Sequence, residues 1–392
     1  MNAFAPKRLS TFGPVPLVLA ALLGACGGAA PAASTAAPAS SPAAASAAAK
    51  PASASAAAST AAKPAASGSA AAKPAGSAAA ATGAPVRVSV SQNVVGNAPF
   101  WLAQQAGVLK QNGSNVELQN INATIAIKQM VAGQSDGFIG GSPEALSATA
   151  SGSPLVVVAV FTQVYDQVFV AKKGIDTPEQ VKGHNVGTPN RASVNGIATV
   201  AYLHQHGLEA GKDYTVLEIQ SSGSGGGAGP YPVLLGAMQT GSIDAANLQI
   251  DFARKATQDG KFQVLQDLVK DPTLKTAASS LTFQKSYVQQ HPDQVQKTVD
   301  ALMAGMKYFK DHPDEAKAVL KKTFSIDDQG DLDTAYQRDV DTNAKDPTPK
   351  TDLYTDVVNA LVPVEPEVKN VDLNSIIDPR FVQDALKRGL GA

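Results

Sequence analysis

From residue 86 onward, the hydrophobic pattern of the chain switches repeatedly between the strand period and the helix period. Residues 86–91 alternate valine with a polar side chain, which is typical of a strand with one buried face. Residues 99–111 place apolar side chains at helical spacing, and Asn112-Gly113 ends the predicted helix. Residues 155–160 are all apolar, which indicates a strand covered on both faces, as in a parallel sheet. Strands that alternate with helices in this way predict an α/β fold.

The alternation runs through two cycles, which predicts two α/β lobes. Lobe 1 would begin with residues 86–165, lobe 2 would comprise residues 166–277, and residues 278–392 would return to lobe 1 and add C-terminal helices. The chain would then cross between the lobes twice, with hinges near 164–168 and 276–281. Because ligands of open α/β sheets bind at the C-terminal ends of the strands, we expect a binding cleft between the lobes.

Residues 1–25 have the features of a secretion signal peptide. Lys7 and Arg8 precede an apolar run at 15–23 that is too short to span about 30 Å of hydrocarbon as a helix. The run ends in Leu-Gly-Ala followed by Cys26, which resembles the lipobox of bacterial lipoproteins. That resemblance implies cleavage before Cys26 and a lipid on its sulfur, whereas the alternative is an ordinary signal peptide with a chance cysteine. We therefore expect a chain outside the cytoplasm that a lipid anchors to the cell membrane.

Residues 26–85 are rich in alanine, proline and serine, and this composition predicts a disordered tether. Alanine favours helix, but prolines recur throughout the segment, and the short helices left between them are marginal in water. Beyond the tether, no run of about 18 apolar residues indicates a second membrane segment.

Charge and cysteine content exclude several classes of protein. The chain has 32 Lys and Arg and 33 Asp and Glu, but five of the basic residues and none of the acids precede residue 86. The part from 86 onward therefore has 27 basic and 33 acidic residues, a net charge of −6, which argues against a nucleic-acid partner. A single cysteine excludes a disulfide framework and a cysteine-rich metal site.

The sequence lacks the common signatures of catalysis and metal binding. It has no H-E-x-x-H motif, no phosphate-binding P-loop and no G-x-S-x-G elbow with partner residues. The glycines between 223 and 229 follow a predicted strand, but their spacing fits a dinucleotide fingerprint badly, so they form either a ligand contact or a mobile surface loop. We expect no enzyme activity, no cofactor and no metal.

Small polar loops that lead into helices are the best candidates for ligand contacts. Ser142 opens the helix after the strand at 138–140, and Thr188, Asn190, Arg191 and Ser193 lie in the loop before another helix. Free backbone N–H groups and the helix dipole make such starts suitable for anions. The alternative for Ser142 and Ser193 is ordinary N-capping.

Further candidates lie at other strand ends. Asn97, Phe100 and Trp101 follow the first strand, and Trp101 could either stack on a ligand or pack between the lobes. Tyr165 lies where the chain crosses between the lobes, and Asp251 follows the strand near 248. Asp251 could orient a ligand group or remain a solvated carboxylate.

Several of these segments together resemble the solute-binding proteins of ABC importers, in the branch that binds sulfonates, nitrate or thiamine-precursor pyrimidines. The resemblance rests on four segments: APFWLAQQAGVLKQNG at 98–113, GGSPEAL at 140–146, VGTP at 186–189 and GSIDAA at 241–246. It implies a type II periplasmic-binding-protein fold with a hinge and an interlobe cleft. It also implies a small-molecule solute, an ABC permease with its ATPase as partners, and a monomer.

From this resemblance we expect a membrane-anchored protein that captures a small polar or anionic solute by lobe closure. The ligand could be a sulfonate or nitrate-like anion, with Arg191 as a bidentate donor, or a pyrimidine-type heterocycle stacked on Trp101. Two other functions remain open: an enzyme on the same fold that acts on a small acid or pyrimidine precursor, and a domain that presents bound solute to a receptor.

Overall fold

The computed structural model describes residues 84–91, 94–111, 113–219 and 230–391, which belong to one compact unit. The predicted signal peptide at 1–25, the lipid site Cys26, nearly all of the tether at 26–85 and the glycine run at 223–229 lie outside the described residues.

The described residues form ten strands. In chain order they are β1 (Val86–Ser91), β2 (Val116–Ile121), β3 (Gly137–Gly140), β4 (Leu155–Val164), β5 (Val168–Lys172), β6 (Asn185–Thr188), β7 (Thr215–Glu218), β8 (Ala245–Leu248), β9 (Phe262–Asp267) and β10 (Lys275–Gln284).

Thirteen α-helices connect and cover these strands in the same part of the chain. They are α1 (Ala98–Gln105), α2 (Val108–Gln111), α3 (Ala123–Val131), α4 (Ser142–Ala150), α5 (Val194–Gln205), α6 (Tyr231–Gln239), α7 (Ile250–Thr257), α8 (Lys285–Gln290), α9 (Pro292–Asp311), α10 (Pro313–Phe324), α11 (Gln329–Thr342), α12 (Thr355–Leu361) and α13 (Arg380–Lys387). The helix predicted at 99–111 is two helices, because Gly107 adopts a positive φ of 73° that ends α1.

The strands form two five-stranded sheets, one in each lobe. The order is β2-β1-β3-β10-β4 in lobe 1 and β7-β6-β8-β5-β9 in lobe 2. In each sheet the first three strands are parallel, and the fourth, β10 or β5, runs antiparallel to both of its neighbours. The prediction of parallel sheets is therefore wrong for one strand of each, β10 in lobe 1 and β5 in lobe 2. The physical reason is that β5 and β10 enter their sheets directly from the other lobe.

The two crossings between the lobes lie side by side. The first is the segment between β4 and β5, and the second lies between β9 and β10. The predicted second hinge at 276–281 is wrong, because these residues are inside β10, which pairs with β4 from Lys275 opposite Val164 to Gln284 opposite Leu155. The second crossing itself precedes Lys275.

The C-terminal residues cover both lobes and not lobe 1 alone. α9, α10 and α13 pack on the lobe 1 side, where α9 contacts α1, whereas α12 packs against α5 of lobe 2. Between these helices the chain runs along the outer edge of β4, where Ala344 N donates to Phe161 O at 2.7 Å and Val157 N donates to Ile376 O at 2.7 Å. These bonds satisfy a strand edge that would otherwise be open to association.

One apolar cluster continues from lobe 1 into lobe 2 on the side of the crossings. It contains Val157 and Val160 of β4, Phe169 of β5, and Tyr354 and Val357 near the C-terminus, all buried. Fully buried side chains interdigitate and resist displacement. This cluster therefore joins the two lobes, and Val194 at the start of α5 packs against it.

Candidate functional site

The loops that follow β1, β3, β6 and β8 lie at the C-terminal ends of parallel strands and form the candidate cleft. Gly141, between β3 and α4, lies directly against Val194 at the start of α5: a methyl group on Gly141 would come within 2.6 Å of Val194 Cγ2. The starts of α4 in lobe 1 and α5 in lobe 2 therefore touch across the cleft. The structure shows the lobes in contact at this point.

Ser142 has a free hydroxyl at this meeting point. The N-cap of α4 is Gly141 and not Ser142, so the capping alternative is wrong for this serine. Ser142 is fully buried, and its Oγ has no hydrogen-bond partner. An unpaired buried hydroxyl is costly, and a ligand bond would remove that cost. The predicted role of Ser142 as a ligand contact stays a prediction, with this oxygen as its structural basis.

Glu144, in the first turn of α4, is a residue that the sequence analysis did not select. Burial, with a smaller contribution from charge repulsion by Glu365, raises its pKa from 4.5 to about 7, although backbone hydrogen bonding opposes the shift. Its Oε2 is buried without a partner and would lie 2.7 Å from a methyl group on Gly141. This carboxyl group therefore sits at the point where the lobes touch, and its charge changes near neutral pH.

A buried polar network forms the lobe 2 wall. Thr188 Oγ1 lies 3.4 Å from Asn195 Oδ1, Asn195 Nδ2 donates to Asn247 O at 2.9 Å, and Asn247 Nδ2 donates to Thr199 Oγ1 at 2.9 Å. Asn247 Oδ1 has no partner. Thr188 was a predicted contact, whereas Asn195 and Thr199 were not. These two residues lie on α5, and only the fold brings them beside the β6 loop.

The remaining predicted residues of the β6 loop bind within lobe 2. Ser193 caps α5, since its Oγ accepts from Gly196 N at 3.2 Å, and Asn190 Oδ1 accepts from Ala192 N at 2.7 Å. Arg191 Nη2 donates to Val216 O at 3.1 Å. The capping alternative is thus observed for Ser193, and the guanidinium of Arg191 is bonded to β7.

The aromatic candidates are in the core. Phe100 is fully buried with its ring centroid 4.8 Å from that of Phe161, and Trp101 belongs to the same lobe 1 cluster. Tyr165 is fully buried in the cluster shared by the lobes, where burial raises the pKa of its hydroxyl. The rings of Phe100 and Tyr165 both pack within apolar clusters, and their role as ligand contacts stays a prediction.

Asn97 also makes hydrogen bonds that stabilise the fold of lobe 1. It is 1% exposed, its Nδ2 donates to Ser91 O at 3.3 Å, and its Oδ1 accepts from Ser279 Oγ at 3.1 Å. Its two amide atoms thus join the end of β1 to β10, which positions the first cleft loop.

Asp251 lies at the mouth of the cleft, at the second residue of α7. It is buried, and this burial raises the pKa of its carboxyl group, while Lys255 at 3.9 Å opposes the shift. It lines a small interlobe pocket together with Asp166 of the first crossing and Asp339 of α11. The prediction that Asp251 is simply solvated is wrong, because α11 returns from the C-terminal part of the chain to cover it.

Arg338 of α11 links both crossings. Its Nη2 donates to Asp267 Oδ1 at 2.8 Å and its Nη1 to Asp267 Oδ2 at 3.2 Å, while its Nε donates to the main-chain oxygen of Asp166 at 2.9 Å. A two-pronged contact between guanidinium and carboxylate fixes orientation as well as distance. Arg338 was missed because its partners lie far away in the sequence.

Two classes of site are absent from the described residues. No helix within these ranges combines the length and hydrophobicity that crossing a bilayer requires. In the same part of the chain, no three or more His, Cys, Asp or Glu side chains gather in an arrangement that could hold a metal ion.

A known family matches this chain, whereas comparison with curated proteins gives no match. The family described as NMT1/THI5 like matches residues 95–316, more than half of the chain. No curated protein matches the sequence.

Many solved structures share the fold. The alkanesulfonate-binding protein SsuA from Xanthomonas axonopodis pv. citri, bound to MOPS, has a TM-score of 0.59 and 15% identity, covering 76% of this chain and 98% of that one. The periplasmic nitrate-binding protein NrtA from Synechocystis PCC 6803 has a TM-score of 0.57 and 11% identity, covering 78% and 88%. The desulfurization enzyme DSZB has a TM-score of 0.57 and 17% identity, covering 77% and 99%. These likenesses confirm the predicted periplasmic-binding-protein fold.

We predict that Gly141→Ala keeps the lobes apart. The added methyl group would overlap Val194 Cγ2 of lobe 2 and Glu144 Oε2 of lobe 1. The backbone of Gly141 has an ordinary φ of −71°, so the variant should fold normally, with a rotated Glu144 side chain and with lobe opening to relieve the overlap with Val194. Small-angle X-ray scattering should show a larger radius of gyration than for the unchanged protein. Gly236→Ala is the matched control, because nothing lies within 4 Å of the added methyl group on α6. Equal radii for all three proteins would contradict the prediction.

We predict that the carboxyl group of Glu144 lowers stability as pH rises. Its pKa is about 7 in the folded protein and near 4.5 in the unfolded chain, so between these values the folded state binds more protons and stability falls with increasing pH. Glu144→Gln removes this dependence. Urea unfolding at several pH values should show the variant gaining about 1 to 3 kcal/mol relative to the unchanged protein between pH 4.5 and 8. A constant difference would contradict the prediction, since effects of amide packing do not depend on pH.

Proposed function

Because this chain belongs to the NMT1/THI5-like family and has the periplasmic-binding-protein fold, we propose that it captures a small polar solute by closure of its two lobes. The observation that carries the proposal is the contact of the α4 start with the α5 start, beside the unpaired hydroxyl of Ser142. A ligand there would exchange hydrogen bonds with both lobes only in the closed state. Closure would thus be coupled to binding.

The polar walls support recognition through hydrogen bonds. Buried oxygens of Ser142 and Asn247 lack partners, and Thr188 belongs to the network that surrounds Asn247. Sites of this kind discriminate strongly, because an incorrect ligand leaves buried polar groups unpaired. Ser142, Thr188 and Asp251 are the predicted contacts that we retain as the ligand-binding residues.

We further propose that the protein delivers its solute to an ABC permease and its ATPase from outside the cytoplasm. SsuA and NrtA, which share the fold, are named as alkanesulfonate-binding and periplasmic nitrate-binding proteins. The predicted signal peptide and the lipid on Cys26 would place the two lobes at the membrane surface, and the protein would act as a monomer.

The enzyme alternative keeps one point of support, since DSZB has the same fold and is named an enzyme. A receptor that senses the solute would bind it without transport. Both alternatives predict a ligand in the same cleft, so the deciding measurement must follow the ligand after it binds.

We expect a thermal-shift screen to identify one selective solute. The full chain, purified in detergent and refolded to remove bound solute, would be tested with sulfonates, nitrate, carboxylates and pyrimidines. A ligand at about 100 times its dissociation constant adds about 2.7 kcal/mol of stability, a shift of several degrees. The hit should be recovered unchanged after incubation. Its consumption would identify an enzyme. No shift in melting temperature with any compound of a broad panel would contradict the binding proposal.

We expect Cys26→Ser to release the protein from the membrane fraction. Without the sulfur no lipid can be attached, and the described residues offer no helix that could span the bilayer instead. Fractionation of cells that express each form, with detection by antibody, would measure the change. Retention of the Cys26→Ser protein in the membrane fraction would exclude the lipid as its anchor.

A further inference from the structure

The carboxyl group of Glu144 lies at the contact between the two lobes. Its Oε2 and the Cγ2 of Val194 lie 2.7 Å and 2.6 Å from the position that a methyl group on Gly141 would take, so both atoms flank the same point. Glu144 belongs to α4 of lobe 1, whereas Val194 is the first residue of α5 in lobe 2. The carboxyl oxygen therefore lies beside an apolar side chain of the other lobe.

The surroundings of this oxygen suit a neutral carboxyl group better than a charged one. Glu144 Oε2 is buried and has no hydrogen-bond partner. Val194 packs against the apolar cluster that joins the lobes, so it offers the carboxyl group no donor. A buried carboxylate without a partner is costly, and the protonated form avoids most of that cost.

The charged neighbours of Glu144 do not offset this cost. Glu365 repels a charged Glu144, and it caps the short 3₁₀ helix Pro366–Asn370, which packs on α4. No cation among the described residues lowers the pKa of Glu144. The charged groups on the other elements beside α4 are Lys128 of α3, Lys275 at the start of β10, Asp356 of α12, which interacts with His204, Glu367 and Lys369 on the surface of the 3₁₀ helix, and Arg191 before α5, which donates to Val216 O.

The contact between the lobes therefore holds a proton more tightly than an open cleft would. Burial raises the pKa of Glu144 from 4.5 to about 7 where the lobes touch, and water that enters on opening would lower it toward the ordinary value. The closed arrangement binds more protons between these two values. Closure thus weakens as pH rises from 4.5 to about 7, and above that range no further loss is expected.

We propose that Glu144 is a pH-sensitive latch between the lobes, whose protonated carboxyl group permits closure and whose charged form favours opening and release of the solute. The inference rests on the proposed function and specifies how the same closure is regulated. Ser142, which offers its unpaired hydroxyl to the solute, lies on the same helix two residues earlier. Solute binding and protonation would therefore act on the same element and favour the same state.

A distance between the lobes, measured without any solute, tests the latch. The full chain with Cys26→Ser contains no other cysteine, so nitroxide labels attach only at Thr124→Cys of lobe 1 and Lys212→Cys of lobe 2, two exposed positions. In detergent, pulsed electron resonance should give a distance at about pH 8.5 that differs from the distance at about pH 5 by at least about 3 Å. Gly141→Ala should show the distance of the open state at both pH values, because the methyl group keeps the lobes apart.

Glu144→Gln should give the distance of the closed state at both pH values, since the amide has a similar shape and carries no charge. Glu117→Gln is the matched control, because it removes an exposed glutamate of β2 in the same lobe and should keep the full change. Burial also raises the pKa values of Asp166, Asp251 and Asp339 near the crossings. The comparison with Glu144→Gln therefore decides which carboxyl group is responsible.

Glu365→Gln is a second test that leaves Glu144 in place. Loss of the repulsion should make the change in distance smaller without abolishing it, because burial is the larger cause. Equal distances at the two pH values in the protein with native Glu144, or a full change in Glu144→Gln, would overturn the latch. Should Glu144→Gln fail to fold, a full change in Glu365→Gln would overturn it instead.

The outcomes separate this inference from the proposed function, since the distances are measured without solute. A selective solute from the thermal-shift screen, combined with a distance that does not depend on pH, would keep the binding protein and reject the latch. A change in distance that depends on Glu144, with no solute bound from the panel, would keep the latch and reject solute capture.

Discussion

The pairing of β4 with β10 is the constraint on which the rest of this structure depends. These two long strands run antiparallel along their whole length, so the two crossings between the lobes leave the lobe 1 sheet next to each other. Arg338 then binds the main chain of the first crossing and the carboxylate at the end of β9, just before the second. The guanidinium of Arg338 thus ties the two connections to each other.

The two lobes meet through two kinds of contact. A continuous apolar cluster and the C-terminal segment join them near the crossings. The starts of α4 and α5 also meet, and there several buried oxygens lack partners, while Val194 packs against the same apolar cluster. Apolar packing resists separation in water, whereas unpaired polar groups gain bonds when water or a ligand reaches them.

The candidate residues show which structural features a local sequence pattern predicts and which it does not. Ser142 and Ser193 have the same signature, a serine at a predicted helix start, yet Ser193 caps α5 while Ser142 follows a glycine cap and keeps a free oxygen. Phe100 and Trp101 follow the first strand in the sequence, close to a predicted cleft loop, but their side chains pack into the core of lobe 1. In both cases the local sequence predicted the element correctly, whereas the direction of the side chain depended on neighbours that are distant along the chain.

The sequence by itself determined the order of strands and helices and the division into two lobes. Those features follow from hydrophobic periodicity and from glycine and proline signals, which act over a few residues. Only the tertiary structure decided the antiparallel crossing strands, the cover of both lobes by the C-terminal residues, and the pocket of Asp166, Asp251 and Asp339. Asp166 and Asp339 are 173 positions apart, and no local interaction relates them. Their proximity exists because α11 packs its apolar side chains into the core of lobe 1, and Arg338 of the same helix binds the main chain of the first crossing.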